Sequence, residues 1–363
     1  MIPGLNNKKY RYMKKIFILI IFIIAAVACE NQPWEFPDYD IKAVYFPVQL
    51  PVRTLSMGED RIDNSLDKEG KFDIGICIGG MYENKNDWTA DYMVDPTLVD
   101  KAYIYAKPQT YSNSEKIYAL PASYYTLTPS PTVTIPKGKF NGLIRVQLND
   151  AFFNDTLALS GRYVIPLKLT DTSADSILQG KPIVPNADPR IIANWNANQS
   201  PKDWVMFGIN YVNPYHGTWL HRGQDIRTNN STSEVETITF RNSYVEKDAL
   251  IKLTSTGRKS TTTNGLANLT SGNNSMLLTF ANDKGTPGDI VITSSPTSTY
   301  TVTGTGHYQD IATSNEKLTG LTMQSMYLSY TYDDGTYTHQ IKDSLVFRDR
   351  GIKFTTNSIV IQP

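Results

Sequence analysis

A short segment of the sequence concentrates side chains of the kind that recognise sugars. Between residues 195 and 222 lie three of the chain's five tryptophans, with tyrosines and amide, imidazole and guanidinium groups between them. A flat aromatic ring packs against the apolar face of a sugar, and neighbouring polar groups bind its hydroxyls. This composition predicts a set of glycan-contact residues: Trp195, Tyr211, Tyr215, His216 and Arg222.

The same rings have a second interpretation, as hydrophobic core. Because a β-strand directs only alternate side chains to one face, part of this segment is expected to be buried. Trp204 and Trp219 are the strongest candidates for core packing. The exposure of each ring in the folded protein distinguishes the two interpretations.

Recognised motifs of catalysis and metal binding are absent from the sequence. It contains no nucleophile elbow, HExxH helix, phosphate-binding loop or dinucleotide-binding fingerprint. Four histidines occur, and His216 and His221 are five residues apart, which places them on opposite faces of a strand. We therefore expect no metal site, no cofactor and no catalytic residues. A glycosidase is a minor alternative, because two carboxylates that face each other across a cleft cannot be recognised from sequence.

The N-terminal segment predicts export and a lipid anchor. Two lysines precede an apolar run, residues 16–28, which is shorter than the roughly 20 residues that span a bilayer as a helix. The run ends at Cys29, and the whole resembles a bacterial lipoprotein signal, in which the cysteine is lipidated. We predict a signal peptide over 1–28, with translation starting at Met13, and a lipidated tether over 29–40. A secreted protein whose leader happens to contain a cysteine is the alternative.

Charge balance and cysteine content limit the possible partners and the source of stability. Lysine plus arginine and aspartate plus glutamate each total 35, so no net charge attracts nucleic acid. Lipidation of Cys29 would leave Cys77, the second of two cysteines, unpaired, so the fold is expected to depend on its core and not on disulfides. Cys77 lies in an apolar run and is expected to be buried and unreactive.

Hydrophobic alternation predicts an all-β protein that begins with a sandwich. Strand patterns over 72–78, 143–148 and 163–170 are separated by glycine- and proline-rich turns, and no long amphipathic helix interrupts them. This pattern favours an antiparallel sandwich over residues 41–185. Residues 186–203 are rich in proline and asparagine, which is typical of a linker.

A second β-domain is predicted over residues 204–363. Roughly eight or nine short strands follow one another at regular spacing, and Asp334-Gly335 marks the clearest hairpin turn. This pattern predicts an antiparallel up-and-down (lipocalin-like) barrel, or a meander sandwich.

Two stretches resemble a known group of proteins. They are VYFPVQLPVRTL at 44–55, supported by LPASYY at 120–125, and NPYHGTWLHRG at 213–223. Together they resemble surface lipoproteins of gut Bacteroidetes that pair two uncharacterised domains. The first domain also precedes endo-β-N-acetylglucosaminidase-like modules of glycoside-hydrolase family 18, and the genes typically lie in polysaccharide-utilisation loci. The resemblance implies an immunoglobulin-like first domain, a barrel-like second domain and a role in glycan capture, without catalytic residues.

These observations lead to one primary expectation and one alternative. The primary expectation is a non-catalytic glycan-binding lipoprotein, anchored in the outer membrane by its lipid and facing the cell surface, with the periplasmic face as the other possibility. Its ligand would be an oligosaccharide or a glycoprotein glycan. The alternative is a structural or protein-binding scaffold in a complex with an outer-membrane transporter or a glycosidase.

Overall fold

The computed structural model describes residues 37–60, 62–104, 115–269 and 274–362. The predicted signal peptide and Cys29 lie outside these residues. The chain from Ile41 onward forms one compact unit. Within the described ranges, no helix is long and apolar enough to cross a membrane.

The N-terminal half is a two-layer sandwich, as predicted. The strands of its first sheet are β1 (Ala43–Tyr45), β3 (Lys71–Gly79), β8 (Tyr125–Thr128), β10 (Asn141–Leu148) and β12 (Ser176–Ile177). They are arranged in the order β12-β1-β3-β10-β8. Alternate side chains of β3, from Phe72 to Ile78, point into the core. Cys77 belongs to the opposite face and is only half-buried, so the expectation of full burial was wrong.

The second sheet of the sandwich faces the first across a shared core. Its strands are β2 (Pro51–Ser56), β4 (Trp88–Val94), β7 (Tyr118–Ala119), β9 (Thr132–Ile135), β11 (Tyr163–Thr172), β13 (Trp204–Val212) and β25 (Thr355–Thr356). A small sheet of three strands lies apart from it: β5 (Ala102–Ile104), β6 (Glu115–Lys116) and β26 (Ile359–Ile361). Side chains of the second sheet and of this small sheet form a second, smaller apolar cluster, which includes Trp204 and Ile359.

Short helical turns connect the strands. The α-helical turns are Ser65–Lys68 and Asp150–Asn154, and the 3-10 turns are Pro96–Val99, Ala122–Tyr124, Thr156–Leu159, Ile192–Asn194 and Val245–Lys247. Asp155 caps one of them, because its carboxylate accepts a hydrogen bond from the backbone N–H of Leu157 at 2.8 Å.

The C-terminal half is a closed antiparallel barrel of eight strands. They are β14 (Gly217–Asn229), β16 (Ala249–Gly257), β17 (Ser260–Thr263), β18 (Met276–Phe280), β19 (Gly288–Ser294), β20 (Thr303–Gln309), β23 (Ser325–Asp333) and β24 (Tyr337–Asp349). Each strand pairs with the next in chain order, and β24 pairs with β14 to close the barrel. The barrel is therefore correct and the meander sandwich is not. Three further strands lie outside the ring: β15 (Val235–Phe240), β21 (Lys317–Leu318) and β22 (Leu321–Thr322).

The boundary between the domains differs from the predicted one. β13 was expected to open the second domain, but it lies between β2 and β11 in the sandwich. The predicted linker is also folded onto the sandwich, since the Arg190 guanidinium donates to the carbonyl oxygens of Leu98 and Asp100. After the barrel the chain returns, and β25 and β26 add to sheets of the sandwich domain. The chain therefore passes between the domains twice, near residues 213–216 and 350–354.

Candidate functional site

Tyr211, one of the predicted contact residues, lies in the core of the sandwich. Its ring is 2% exposed and packs edge-on against Phe153, with the ring centroids 5.2 Å apart. Its hydroxyl donates to the carbonyl oxygen of Phe153 at 2.8 Å. No ring face is open to a ligand, so the prediction that Tyr211 contacts glycan was wrong.

Tyr215 lies in the core of the other domain. It is 1% exposed, and its ring stacks on Phe280 with centroids 3.5 Å apart. Its hydroxyl donates to the carbonyl oxygen of Asn282 at 2.9 Å. This assignment was also wrong, whereas Trp204 and Trp219 are buried as expected.

His216 is partly buried beside the passage between the domains. Its Nδ1 accepts a hydrogen bond from the backbone N–H of Ser255 at 3.1 Å, which requires that nitrogen to be unprotonated. Burial, with smaller contributions from Arg350 and Lys252, lowers the pKa of His216 to about 4. A neutral imidazole held in this way supports the backbone through its Nδ1 atom.

Trp195 and Arg222 keep partial exposure but lie in different domains. The indole Nε1 of Trp195 donates to the carbonyl oxygen of Asp188 at 3.0 Å, within the folded segment beside the sandwich. The guanidinium of Arg222 pairs with Asp248 at 2.5 Å, on the outer side of the barrel. The five predicted residues therefore form no common site. Of the five, only Arg222 lies next to an open surface of the barrel.

Cross-strand pairing connects Arg222 to that surface. Arg222 lies opposite Ser344 of β24, Ser344 lies opposite Tyr327 of β23, and Tyr327 lies opposite His307 of β20. These side chains all point away from the barrel interior, because their neighbours along each strand are the core residues. A strand pair places directly opposed side chains about 4.5–5.5 Å apart, so the four form a row across the barrel.

A groove of about 510 Å³ lies on this outer face. It spans β20, β23 and β24. The outward-facing side chains that line it are Thr305, His307, Tyr327, Ser329, Lys342 and Ser344. We refer to it as the outer-face groove. It combines one aromatic ring with hydroxyl, imidazole and ammonium groups, which is the mixture that the sequence led us to expect elsewhere.

Tyr327 is the aromatic centre of the outer-face groove. Its side chain is 37% exposed, and its hydroxyl donates to a carboxylate oxygen of Glu316 at 2.9 Å. Partial burial and the neighbouring Glu316 raise the pKa of the Tyr327 phenol. The ring is therefore fixed at its hydroxyl end and remains neutral at physiological pH, which suits a stacking platform.

Two glycines allow β20 to approach β23 closely beneath the groove. A Cβ atom at Gly306 would lie 2.6 Å from the side chain of Leu328, and one at Gly304 would overlap the backbone of β23. Both positions face the barrel interior, where large side chains of β23 occupy the space. The glycines thus explain how Thr305 and His307 are held beside Ser329 and Tyr327 on the outer side.

Two buried histidine–aspartate pairs lie inside the barrel, and the sequence analysis did not identify them. The Nε2 of His221 is 3.0 Å from a carboxylate oxygen of Asp343, which also accepts a hydrogen bond from the Tyr330 hydroxyl at 2.7 Å. The Nδ1 of His339 is 2.9 Å from a carboxylate oxygen of Asp225. Each pair joins β14 to β24, the two strands that close the barrel.

We interpret these pairs as structural contacts between the two strands that close the barrel. All four residues are at most 5% exposed, so a ligand in solution does not reach them. Among the described residues, no three His, Cys, Asp or Glu side chains come together in a way that could hold a metal ion. His221 and Asp343 are diagonal neighbours on two paired strands. Which side chains become diagonal neighbours depends on the strand register, so their spacing in the sequence does not predict the contact.

Comparison with known proteins identifies two sequence families along the chain. A family model described as a "-like, N-terminal domain" matches residues 38–176, and a model described as a domain of unknown function (DUF5627) matches residues 214–351. The second match covers the barrel and stops before the chain returns to the sandwich. No curated protein matches the chain.

Solved structures provide one substantial similarity. A Bacteroides ovatus protein of unknown function is 32% identical, with a TM-score of 0.77, and the match covers 90% of this chain and 100% of that one. A second Bacteroides ovatus protein of unknown function is 14% identical over 86% of this chain and 97% of its own, with a TM-score of 0.41. A two-domain Bacteroides fragilis protein of unknown function is 12% identical over 88% and 93%, with a TM-score of 0.30.

Proposed function

We propose that this chain, which belongs to the family of the 32% identical Bacteroides ovatus protein of unknown function, is a non-catalytic, glycan-binding lipoprotein of the cell surface. The observation that carries the proposal is the outer-face groove, in which the Tyr327 ring lies among hydroxyl-bearing side chains. Sugars need an apolar ring face and hydrogen-bonding groups together, and this groove offers both. The residues that we assign to the ligand are Tyr327, Ser329, Thr305 and Lys342.

Binding to a broad array of dietary and host glycans tests the proposal, followed by calorimetry on the glycans that bind. Tyr327→Ala is expected to weaken binding about tenfold, which corresponds to about 1.4 kcal/mol. Tyr244→Ala is the matched control, because Tyr244 is 64% exposed in the same domain but outside the groove. An array without signal, or equal affinities for the two variants, would refute the assignment.

The lipid anchor is a separate part of the proposal. It rests on the sequence around Cys29, with the apolar run before it and the polar tether after it. Cys29→Ser is expected to move the protein from the membrane fraction to the soluble fraction and to abolish incorporation of labelled fatty acid. Retention of the label in the variant would contradict the assignment.

The absence of catalysis is also proposed here. A glycosidase needs two carboxylates that face each other across the sugar, about 5–9.5 Å apart. Near the groove, Asp343 is buried inside the barrel, Asp289 is paired with His307, with Oδ1 and Nδ1 3.1 Å apart, and Glu316 accepts a hydrogen bond from the Tyr327 hydroxyl at 2.9 Å. Incubation with the bound oligosaccharides is expected to release no reducing sugar, and release that Asp289→Asn abolishes would overturn this part.

One surface favours the alternative function, a scaffold that binds an outer-membrane transporter. The segment beside the sandwich exposes aliphatic side chains, with Ile183 57% and Ile192 78% accessible. Apolar side chains grouped in this way are typical of protein-binding surfaces. The scaffold predicts that Ile183→Asp with Ile192→Asp abolishes co-purification with a transporter from the same cell, while Tyr327→Ala does not. The reverse result supports glycan binding.

A further inference from the structure

The lining of the outer-face groove ends at Thr305, Ser329 and Lys342, and exposed polar side chains continue beyond it along β23. We refer to the groove and this polar strip together as the trough. Beyond Tyr327, the outward positions of β23 are Ser329, Thr331 and, at the end of the strand, Asp333, and all three are exposed. Thr305 and Thr303 of β20 flank them on one side, and Lys342 and Gln340 of β24 on the other. The hydroxyls of Thr303 and Thr331 are 3.4 Å apart. No aromatic or aliphatic side chain of these three strands interrupts this stretch.

Two physical arguments favour the strand direction over the cross-strand direction for an extended ligand. An eight-stranded barrel curves strongly around its circumference, so a straight ligand laid across the strands leaves the surface, whereas along a strand the surface is much straighter. At each end of the cross-strand row a side chain is paired with a carboxylate, the His307 imidazole with Asp289 and the Arg222 guanidinium with Asp248. A ligand that crossed the row would have to displace them.

We infer that the ligand is an uncharged, linear oligosaccharide that lies along β23, with one ring stacked on Tyr327 and the next rings over Ser329 and Thr331. The inference rests on the proposed glycan binding and names the substrate class and its direction. Tyr327 and Thr331 are four residues apart, which at a rise of about 3.3 Å per residue gives a trough of about 13 Å. Serine and threonine hydroxyls both donate and accept, which matches a chain of sugar hydroxyls. Lys342 is the one cation that lines the groove, and a single ammonium beside so many hydroxyls does not demand an acidic sugar.

Calorimetry with a length series tests this inference. The probes are xylo-, cello-, manno- and chito-oligosaccharides of two to six units, and oligogalacturonides as the acidic counterpart. The affinity of the series that binds is expected to increase until the chain fills the trough, at about three units, and then to remain constant. Thr331→Tyr blocks the far end, and it should reduce the affinity of longer oligomers to that of the disaccharide while leaving disaccharide binding unchanged.

Matched controls separate the possible failures. Thr237→Tyr adds the same bulk at an exposed position of β15, away from the trough, and is expected to have no effect. If Asp289→Tyr removes the gain with length and Thr331→Tyr does not, the ligand crosses the strands and the inference is wrong. At least tenfold tighter binding of oligogalacturonides than of every neutral series would overturn the uncharged class. If no probe binds although the glycan array gives a signal, the inferred ligand class is wrong and glycan binding stands. If the array is also silent, or if Tyr327→Ala changes nothing at any length, the proposed function itself fails.

Discussion

Arg350, at the end of the barrel, donates a hydrogen bond to the carbonyl oxygen of Glu59 in the sandwich, with Nη2 and O 2.9 Å apart. The same guanidinium donates to the carbonyls of Pro214 and His216 and lies over the Phe347 ring, 4.5 Å from its centroid. It is 4% exposed, and none of these three bonds goes to a carboxylate. Burial lowers the pKa of Arg350 to about 10. One buried cation therefore joins the two domains and the segment that connects them.

Replacement of this cation should weaken the coupling between the domains. Arg350→Met leaves three buried carbonyls without their donor, and the expected loss is about 3 kcal/mol of unfolding free energy. We also expect one urea transition for the natural protein and two for Arg350→Met, one for each domain. Arg348→Met is the control, because Arg348 lies two residues earlier, near the end of β24, and is half exposed. An unchanged, single transition in Arg350→Met would contradict the role assigned to this residue.

His216 should make the protein less stable in mild acid. Its pKa is about 4 in the folded protein and about 6.5 when the chain is unfolded, so between these values only the unfolded state takes up the proton. Proton uptake therefore favours unfolding, and stability falls as the pH falls from 6.5 to 4, by about 2 kcal/mol after allowance for partial exposure.

Urea denaturation at pH 4.5 and pH 7 measures this effect. In His216→Asn the difference between the two pH values should be smaller than in the natural protein. The exposed His307 is the comparison, and His307→Asn should keep the full difference. Equal pH dependence of the natural protein and His216→Asn would show that this imidazole does not cause the loss.

Removal of the Tyr330 hydroxyl should destabilise the barrel. This hydroxyl accepts from the backbone N–H of Ala267 at 2.8 Å and donates to Asp343 at 2.7 Å. Tyr330→Phe leaves a buried N–H and a buried carboxylate oxygen without this partner, and we expect a loss of about 2 kcal/mol. Tyr327→Phe removes a hydroxyl from the exposed face of the same strand and should cost under about 1 kcal/mol. Thermal or urea denaturation of both variants measures the two losses of unfolding free energy. Equal losses would argue against a buried hydrogen-bond network around Tyr330.

The strands that follow the barrel should stabilise the sandwich. Ile359 and Ile361 pack against the apolar cluster that contains Trp204, and the backbone N–H of Asn357 donates to the carbonyl oxygen of Leu50. Ile359→Ala with Ile361→Ala is expected to lower the unfolding free energy by about 2 kcal/mol, with most of the change in exchange protection of sandwich amides. If the lost protection is instead in the barrel amides, the assignment of these strands is wrong.

Local pattern predicted much of the fold. The alternation of Phe72 to Ile78 and the Asp-Gly turn before Tyr337 depend on neighbouring residues, and both produced the expected strands. The position of β13 was not predicted, because its partner β2 is about 150 positions earlier and strand pairing carries no local signal. The return of the chain to the sandwich escaped prediction for the same reason.

The candidate site was harder to predict than the fold. Tyr211 and Tyr215 lie in a segment whose composition is typical of a binding surface, but both are buried. Residue type alone does not distinguish a tyrosine of the core from a tyrosine of a groove. Tyr327 was within a predicted hairpin, and its alternation with Leu328 already placed it opposite the core residues. The groove around it requires three strands to be in register. The local turn sets the pairing of β23 with β24, but the pairing of β20 with β23 has no such local signal.

The double passage of the chain between the domains has a mechanical consequence. Two modules joined by a single linker can swivel about it, whereas two covalent connections at separate points resist both twisting and bending. A load applied to the barrel is divided between the segments near residues 213–216 and 350–354, and Arg350 ties them together where they meet. We therefore expect the barrel, with the outer-face groove on it, to keep a fixed orientation relative to the sandwich.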